Sequence, residues 1–306
     1  MPITRREFIN ATTAAGLTAL ADPLKALATP FSNIKPATGF ELIILGTNWG
    51  FGGSLDEFCS NLKKDGYDGA ELWCPSTDED RKNLITTFSK YNLRFGLLVG
   101  SQEANFDKHF HQFETSLNSA ATLKPLYINC HSGRDHFSFE QNKSFIDLTT
   151  RVSRNSGVPV YHETHRSRIL YSAPVARQFM DKIPELRLTL DISHWCNVHE
   201  SLLTDQMETV SLALSRTGHI HARIGHPEGP QVNDPRAPEW KNIVEAHFNW
   251  WDKIAEQKKK EGKQLTILTE FGPADYMPTI PYTRQPVANQ WEINVHMLKT
   301  LRARYS

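Results

Sequence analysis

The chain lacks an excess of either charge: 34 Lys and Arg face 34 Asp and Glu over 306 residues. That balance excludes the electrostatic footprint of a nucleic-acid or anionic-membrane binder. Cysteine is scarce, with only Cys59, Cys74, Cys130 and Cys196, too few and too scattered for a disulfide framework or a cysteine-based zinc site. No G-x-G-x-x-G turn and no Walker motif occurs, which removes the usual signatures of dinucleotide and nucleotide binding. No apolar run is long enough to span a bilayer permanently. Low-complexity stretches, linkers and composition breaks are also missing. With 39% apolar and 22% charged residues, the composition is that of a globular protein.

The N-terminus reads as a targeting segment rather than as part of a fold. Arg5-Arg6-Glu7-Phe8-Ile9 carries paired arginines, a weakly apolar stretch follows to Ala21, and Ala26-Leu27-Ala28 offers a small-x-small cleavage site. This resembles a twin-arginine export signal, which carries folded proteins across the bacterial inner membrane. The expectation is a signal over residues 1–28, one catalytic domain over 29–306, and a periplasmic location. In that compartment a disulfide among Cys74, Cys130 and Cys196 is open, with packing the expected role of Cys130.

Beyond the signal, eight short β-like runs recur: Glu41–Thr47, Gly69–Trp73, Arg94–Val99, Leu126–His131, Val158–Glu163, Arg187–Asp191, Gly218–Ala222 and Leu265–Glu270. Helical periodicity separates them, and Ser54-Leu55-Asp56-Glu57 reads as a capping box. A terminal helix is expected to place Val287, Trp291, Val295, Leu298, Leu301 and Tyr305 on one stripe. Eight strand–helix units at a period of about 30 residues predict an α/β fold, a (β/α)8 TIM barrel. A doubly wound sheet fits less well, because it carries fewer units and a Gly-rich turn. Two long loops, His226 to Pro238 and Gly272 to Pro286, are candidate lids.

In such a barrel the active site forms at the C-terminal ends of the strands, from inward side chains. Period-two alternation sets Leu126 and Ile128 against Asn129 and His131, and the valines of Val158-Pro159-Val160 against Glu163. The same rule turns Glu71, Asp191, His219, His221 and Glu270 inward. Six strands therefore end by aiming ionisable groups at one place. Several carboxylates buried together are costly unless a cation neutralises them. Glu163, Asp191, His221 and Glu270 form a set of three oxygen ligands and one nitrogen, suited to one divalent ion such as Mn2+, Mg2+, Co2+ or Zn2+. His162-Glu163-Thr164-His165 is not a zinc-protease motif, since its spacing is one residue short and it sits on a strand. Lys258-Lys259-Lys260 reads as a solvated helix end.

From about residue 40 to 305 the chain resembles the xylose-isomerase-like sugar phosphate isomerases and epimerases. The resemblance rests on Gly66-Tyr67-Asp68-Gly69-Ala70-Glu71, Asn129-x-His131, Glu163, Asp191-Ile-Ser-His194, His219-Ile-His221 and Glu270 in that order. It implies a metal held by Glu163, Asp191, His221 and Glu270, the two glutamates as acid/base pair, and His194 as a substrate contact. Two departures stand out. The family's epimerases place an arginine six residues after the seventh-strand histidine, where this chain has Pro227; Arg223 is the nearest replacement. The related apurinic endonucleases need further ligands that Leu98-Val99-Gly100-Ser101 and the residues after His221 do not supply.

The expected activity is a metal-dependent sugar isomerase or epimerase working by proton abstraction beside a carbonyl, through an enediolate. Its partner is a small carbohydrate, with no nucleic acid and no membrane beyond the export signal. Glu163 and Glu270 would exchange the proton, while Glu71, His131, His194 and Arg223 would bind substrate. Trp49, Trp73 and Tyr276 are candidate walls for a sugar ring, with core packing the expected fate of Trp73. Two alternatives stay open: a keto-glycoside lyase using the same deprotonation, and an exported carbohydrate-binding protein without catalysis.

Overall fold

In a computed structural model, which describes residues 38–306, eight parallel strands close into a barrel in the order β1 to β8. The strands are β1 (Glu41–Thr47), β2 (Gly69–Trp73), β3 (Arg94–Gly100), β4 (Ile128–His131), β5 (Val160–Glu163), β6 (Leu188–Leu190), β7 (Thr217–His221) and β8 (Gln264–Leu268). Among the described residues nine α-helices follow them: α1 (Leu55–Asp65), α2 (Asp78–Lys90), α3 (Phe106–Thr122), α4 (Phe139–Ser156), α5 (Ala173–Lys182), α6 (Ile192–Val198), α7 (Met207–Arg216), α8 (Lys241–Glu261) and α9 (Gln290–Tyr305). The alternation of strand and helix is that of a (β/α)8 barrel. The expected export signal lies outside the described residues. None of the described helices is long and apolar enough to cross a membrane.

Local chemistry explains the element ends. The predicted capping box is present at α1, where Ser54 Oγ accepts from Glu57 N and Glu57 Oε2 accepts from Ser54 N. Gly66 closes the same helix with a left-handed backbone, φ 91°, that a Cβ would disfavour. β6 stops at Leu190 because Asp191 becomes the N-cap of α6, its Oδ1 accepting from Ser193 N at 3.1 Å. β8 stops at Leu268, two residues before Glu270. There Thr269 N donates to Leu45 O and Asn294 pins Phe271 through both its N–H and its carbonyl.

One apolar layer fills the space between strands and helices, with Ile44, Ile128, Leu190, Ile220 and Ile267 pointing outward into it. A small inner cluster, Ile43, Leu45, Tyr127 and Leu268, plugs the barrel beneath the site. The inward positions above that plug are polar, as the alternation predicts. The stripe on α9 is partly corrected. Leu298, Leu301 and Tyr305 are buried, but Val287 precedes the N-cap Asn289 and is 46% exposed. All four cysteines are free thiols, and Cys59, Cys130 and Cys196 are packed in the core.

Candidate active site

A pocket of about 430 Å³ opens at the C-terminal ends of the strands, lined among others by Glu71, His131, His165, Arg223, Glu270 and Tyr276. Its walls are aromatic. Trp49 meets Tyr276 edge to face at 4.8 Å between centroids. Gly272 makes room for that wall, because a Cβ there would lie 2.3 Å from the Trp49 ring. Trp73 is not a core residue, contrary to expectation. It stands at the end of β2 with half its surface exposed and its edge against the His131 ring.

Beside the lining residues Glu71 and Glu270, His221 is wholly buried and organised by its neighbours. Its Nε2 lies 3.2 Å from Glu71 Oε1, and its Nδ1 lies 2.9 Å from Glu270 Oε2 and 3.7 Å from Glu163 Oε2. Burial opposes a charge on His221, but Glu270, Glu163 and Glu71 outweigh it and raise its pKa well above the usual value. Burial likewise opposes ionisation of Glu163, yet the charges of His131 and His221 hold its carboxyl well below the carboxylate range. Asn129 Nδ2 donates to Glu163 Oε2 at 2.7 Å, and His131 Nε2 approaches the same oxygen at 3.0 Å.

Asp191 is fully buried, with Oδ1 accepting from Ser193 N and Oγ and Oδ2 accepting from Arg223 Nη2. Burial pushes its pKa up to about 6 against the pull of Arg223, with Glu270 and Glu163 adding to the rise. Arg223 is only 2% exposed and lies between two carboxylates, its Nη1 3.7 Å from Glu270 Oε2 and its guanidinium over the Tyr276 ring. The same Nη2 donates to His194 Nε2 at 2.8 Å. His194 sits wholly buried behind this contact, outside the pocket lining. Burial, with His165 and Arg223 nearby, keeps its pKa well below the usual value.

The donor set suits a divalent cation on two grounds. First, His221 Nδ1 and Glu270 Oε2 are buried and face each other at 2.9 Å, yet neither makes a hydrogen bond of adequate geometry. Two cis ligands on an ion with bonds of about 2.1 Å stand about 3 Å apart. Second, Glu71 beside Nε2 is the kind of carboxylate partner that leaves the other ring nitrogen free to ligate. One donor atom each from Asp191, His221 and Glu270 lie within 4.8 Å of one another, and so do those of Glu163, Asp191 and His194. Asp191 Oδ1 already accepts two hydrogen bonds, whereas Oδ2 accepts only that of Arg223 and keeps a lone pair.

His165 is a pocket residue that the sequence reading passed over. Its ring packs 4.6 Å from His131 and 4.0 Å from His194, so three imidazoles form a row along the site. Its signal was there: two residues after Glu163, it shares that residue's parity. His162 of the same motif points the other way, bonded to the Ser132 and Thr149 hydroxyls, with burial driving its pKa down to about 3.

No family model matches the chain, and no curated protein matches it significantly. Solved structures share the fold. It is similar to the 3-keto-D-glucoside 4-epimerase YcjR from E. coli, with TM-score 0.58 and 14% identity over 86% of this chain and 99% of that one. A D-tagatose 3-epimerase-like protein gives TM-score 0.57 at 12% identity over 87% and 97% of the two chains. The probable 3-DHS dehydratase AsbF from Bacillus anthracis gives TM-score 0.55 at 16% identity over 86% and 99%. At such identities the likeness concerns the barrel itself.

Proposed function

We propose that the protein is a divalent-metal-dependent sugar isomerase or epimerase that removes and returns a proton beside a carbonyl. One observation carries this reading: the Oε2 atoms of Glu163 and Glu270 flank His221 Nδ1 at 3.7 and 2.9 Å, and Glu270 lines an aromatic-walled pocket. The named activities of the two epimerase-type neighbours support it. Glu163, Asp191, His221 and Glu270 would hold the cation, which when bound polarises a carbonyl and its adjacent hydroxyl as a Lewis acid.

The chain's own residues supply the rest. Trp49, Trp73 and Tyr276 hold the sugar ring and exclude water around it. One of Glu163 and Glu270 takes the proton from the carbon beside the carbonyl. The C–H electron pair becomes the C=C bond of an enediolate, and charge moves to the former carbonyl oxygen. His131 and Arg223 face that developing charge, and the other glutamate returns a proton to the opposite face. Glu71 orients His221, and Asn129 orients Glu163. The sequence signal in residues 1–28 supports a periplasmic site of action.

A keto-glycoside lyase is the second reading, favoured by the hollow beyond Trp73 that can receive a leaving group. There the enediolate electrons expel the substituent on the next carbon, and the second glutamate protonates the departing oxygen. Substituting Glu163→Gln and Glu270→Gln tests the shared step. Each should lower turnover by about 100-fold or more, while ketose binding still changes the fluorescence of Trp49 and Trp73. Full turnover in both variants removes the assignment.

A further inference from the structure

A second cleft adjoins the pocket at Trp73, which lines both. On the far side of that indole lies a cleft of about 530 Å³, between the segment after β2, the end of β3 and one face of α3. A Cβ on Gly100 would crowd the His131 Cβ at 3.0 Å, and the indole that packs against His131 is a wall common to both hollows.

The α3 side of the cleft is polar and almost without charge. His111, Gln112, Thr115, Ser116 and Ser119 line it from successive turns, whereas the charged residues of this helix, Asp107, Lys108 and Glu114, are not in the lining. A helix face turned to water carries charged and polar residues, and on this helix only the polar kind borders the cleft. The one guanidinium in the lining, Arg81, is already committed: Nε and Nη2 donate to the Pro75 and Ser76 carbonyls at 3.1 and 2.9 Å, and Nη1 pairs with Asp78 at 2.6 Å. Nothing there is set to grip a phosphate. Hydroxyls, amides and an imidazole around a half-exposed indole suit a neutral polyhydroxylated ring, whose apolar face stacks and whose hydroxyls hydrogen-bond.

From these observations we propose that the cleft is a second sugar subsite. The substrate is then a neutral two-unit glycoside, with the reacting ring at Glu163 and Glu270 and the second ring across Trp73. This rests on the proposed function for the first ring only. It assigns the specificity for the second unit to the β2 and β3 sides of the barrel mouth, away from the long loops after β7 and β8.

The test is calorimetric titration of the intact protein with glucose and galactose, and with cellobiose, maltose, trehalose and lactose. At least one disaccharide should bind about tenfold or more tightly than its parent hexose. Thr115→Trp, which fills the cleft from an exposed helix position, should bring that ratio close to one. Trp73→Ala should lower it too. A ratio within about twofold for every pair, no binding by any sugar, or a preference that survives Thr115→Trp overturns the subsite. These outcomes are independent of catalysis. Disaccharide preference without proton exchange would sink the proposed reaction alone, and proton exchange on single hexoses without preference would sink the subsite alone.

Discussion

Replacing Arg223 by methionine isolates the electrostatic problem this barrel has to solve. Asp191 is 0% exposed and Arg223 2%, and the pair share a hydrogen-bonded contact. Methionine keeps much of the volume but leaves Asp191 with only the Ser193 N–H and hydroxyl. Breaking a buried pair by removing one partner costs about 3–5 kcal/mol, which in a protein of this size lowers Tm by roughly 10 °C. The loss has a pH signature. Burial already pushes the Asp191 carboxyl up to about 6 with Arg223 present, and loss of the cation raises it further. A group whose folded pKa lies above its unfolded value binds its proton more tightly in the native state, so stability falls as pH rises. Arg223→Met should therefore be hurt more at pH 8 than at pH 5.5. Denaturation in chelator measures both numbers, and Asp191→Asn in the same chain should recover part of the loss. A deficit under about 1 kcal/mol, or one that Asp191→Asn leaves unchanged, refutes this account of the charge balance.

Other consequences are less central. His247 is buried, with Nδ1 donating to Ile243 O and Nε2 accepting from Gly225 N, and burial drives its pKa down to about 4. The unfolded chain takes up that proton near pH 6.5 and the native chain only near 4, so this residue should withdraw about 3 kcal/mol of stability across that window. His247→Leu should flatten that part of the acid-denaturation curve; an unchanged slope would contradict it. Far from the pocket, Asp252 accepts from Arg304 Nε and Nη2 and from Tyr305 OH at 2.6–2.8 Å, tying α9 to α8. Asp252→Ala should cost about 3 kcal/mol or more while the folded protein keeps its sugar affinity, measured by titration below the lowered Tm.

The barrel was legible because most strands obey one rule toward their C-terminal ends. Apolar residues such as Ile128, Ile220 and Ile267 alternate with inward groups such as Asn129, His221 and Thr266, and eight such runs leave few other architectures. Strand ends were less legible. Asp191 and Glu270 lie beyond β6 and β8, because side-chain capping by Asp191 and the clamp of Asn294 on Phe271 end those strands early. Parity in the sequence also shows which residues turn inward but not how deep they lie. His194 proved buried outside the pocket lining, and Arg223, which does reach the lining, is only 2% exposed because it is drawn down onto Asp191. Trp73 went the other way. A tryptophan at a strand end looks like core by composition, and its place as a wall between two hollows shows only in three dimensions. His165 was hidden by its place in a motif that fails for other reasons.

The most direct test of the central claim is proton NMR of the protein, loaded with Mg2+ or Zn2+ in D2O, across ketoses, aldoses and keto-glycosides. The account predicts deuterium beside the substrate carbonyl, dependent on added metal and lost in Glu163→Gln and Glu270→Gln; an epimer or isomer as product marks the first reading, and free aglycone the second. Stoichiometric metal with sugar bound, but no deuterium in any substrate, would contradict proton abstraction at this site.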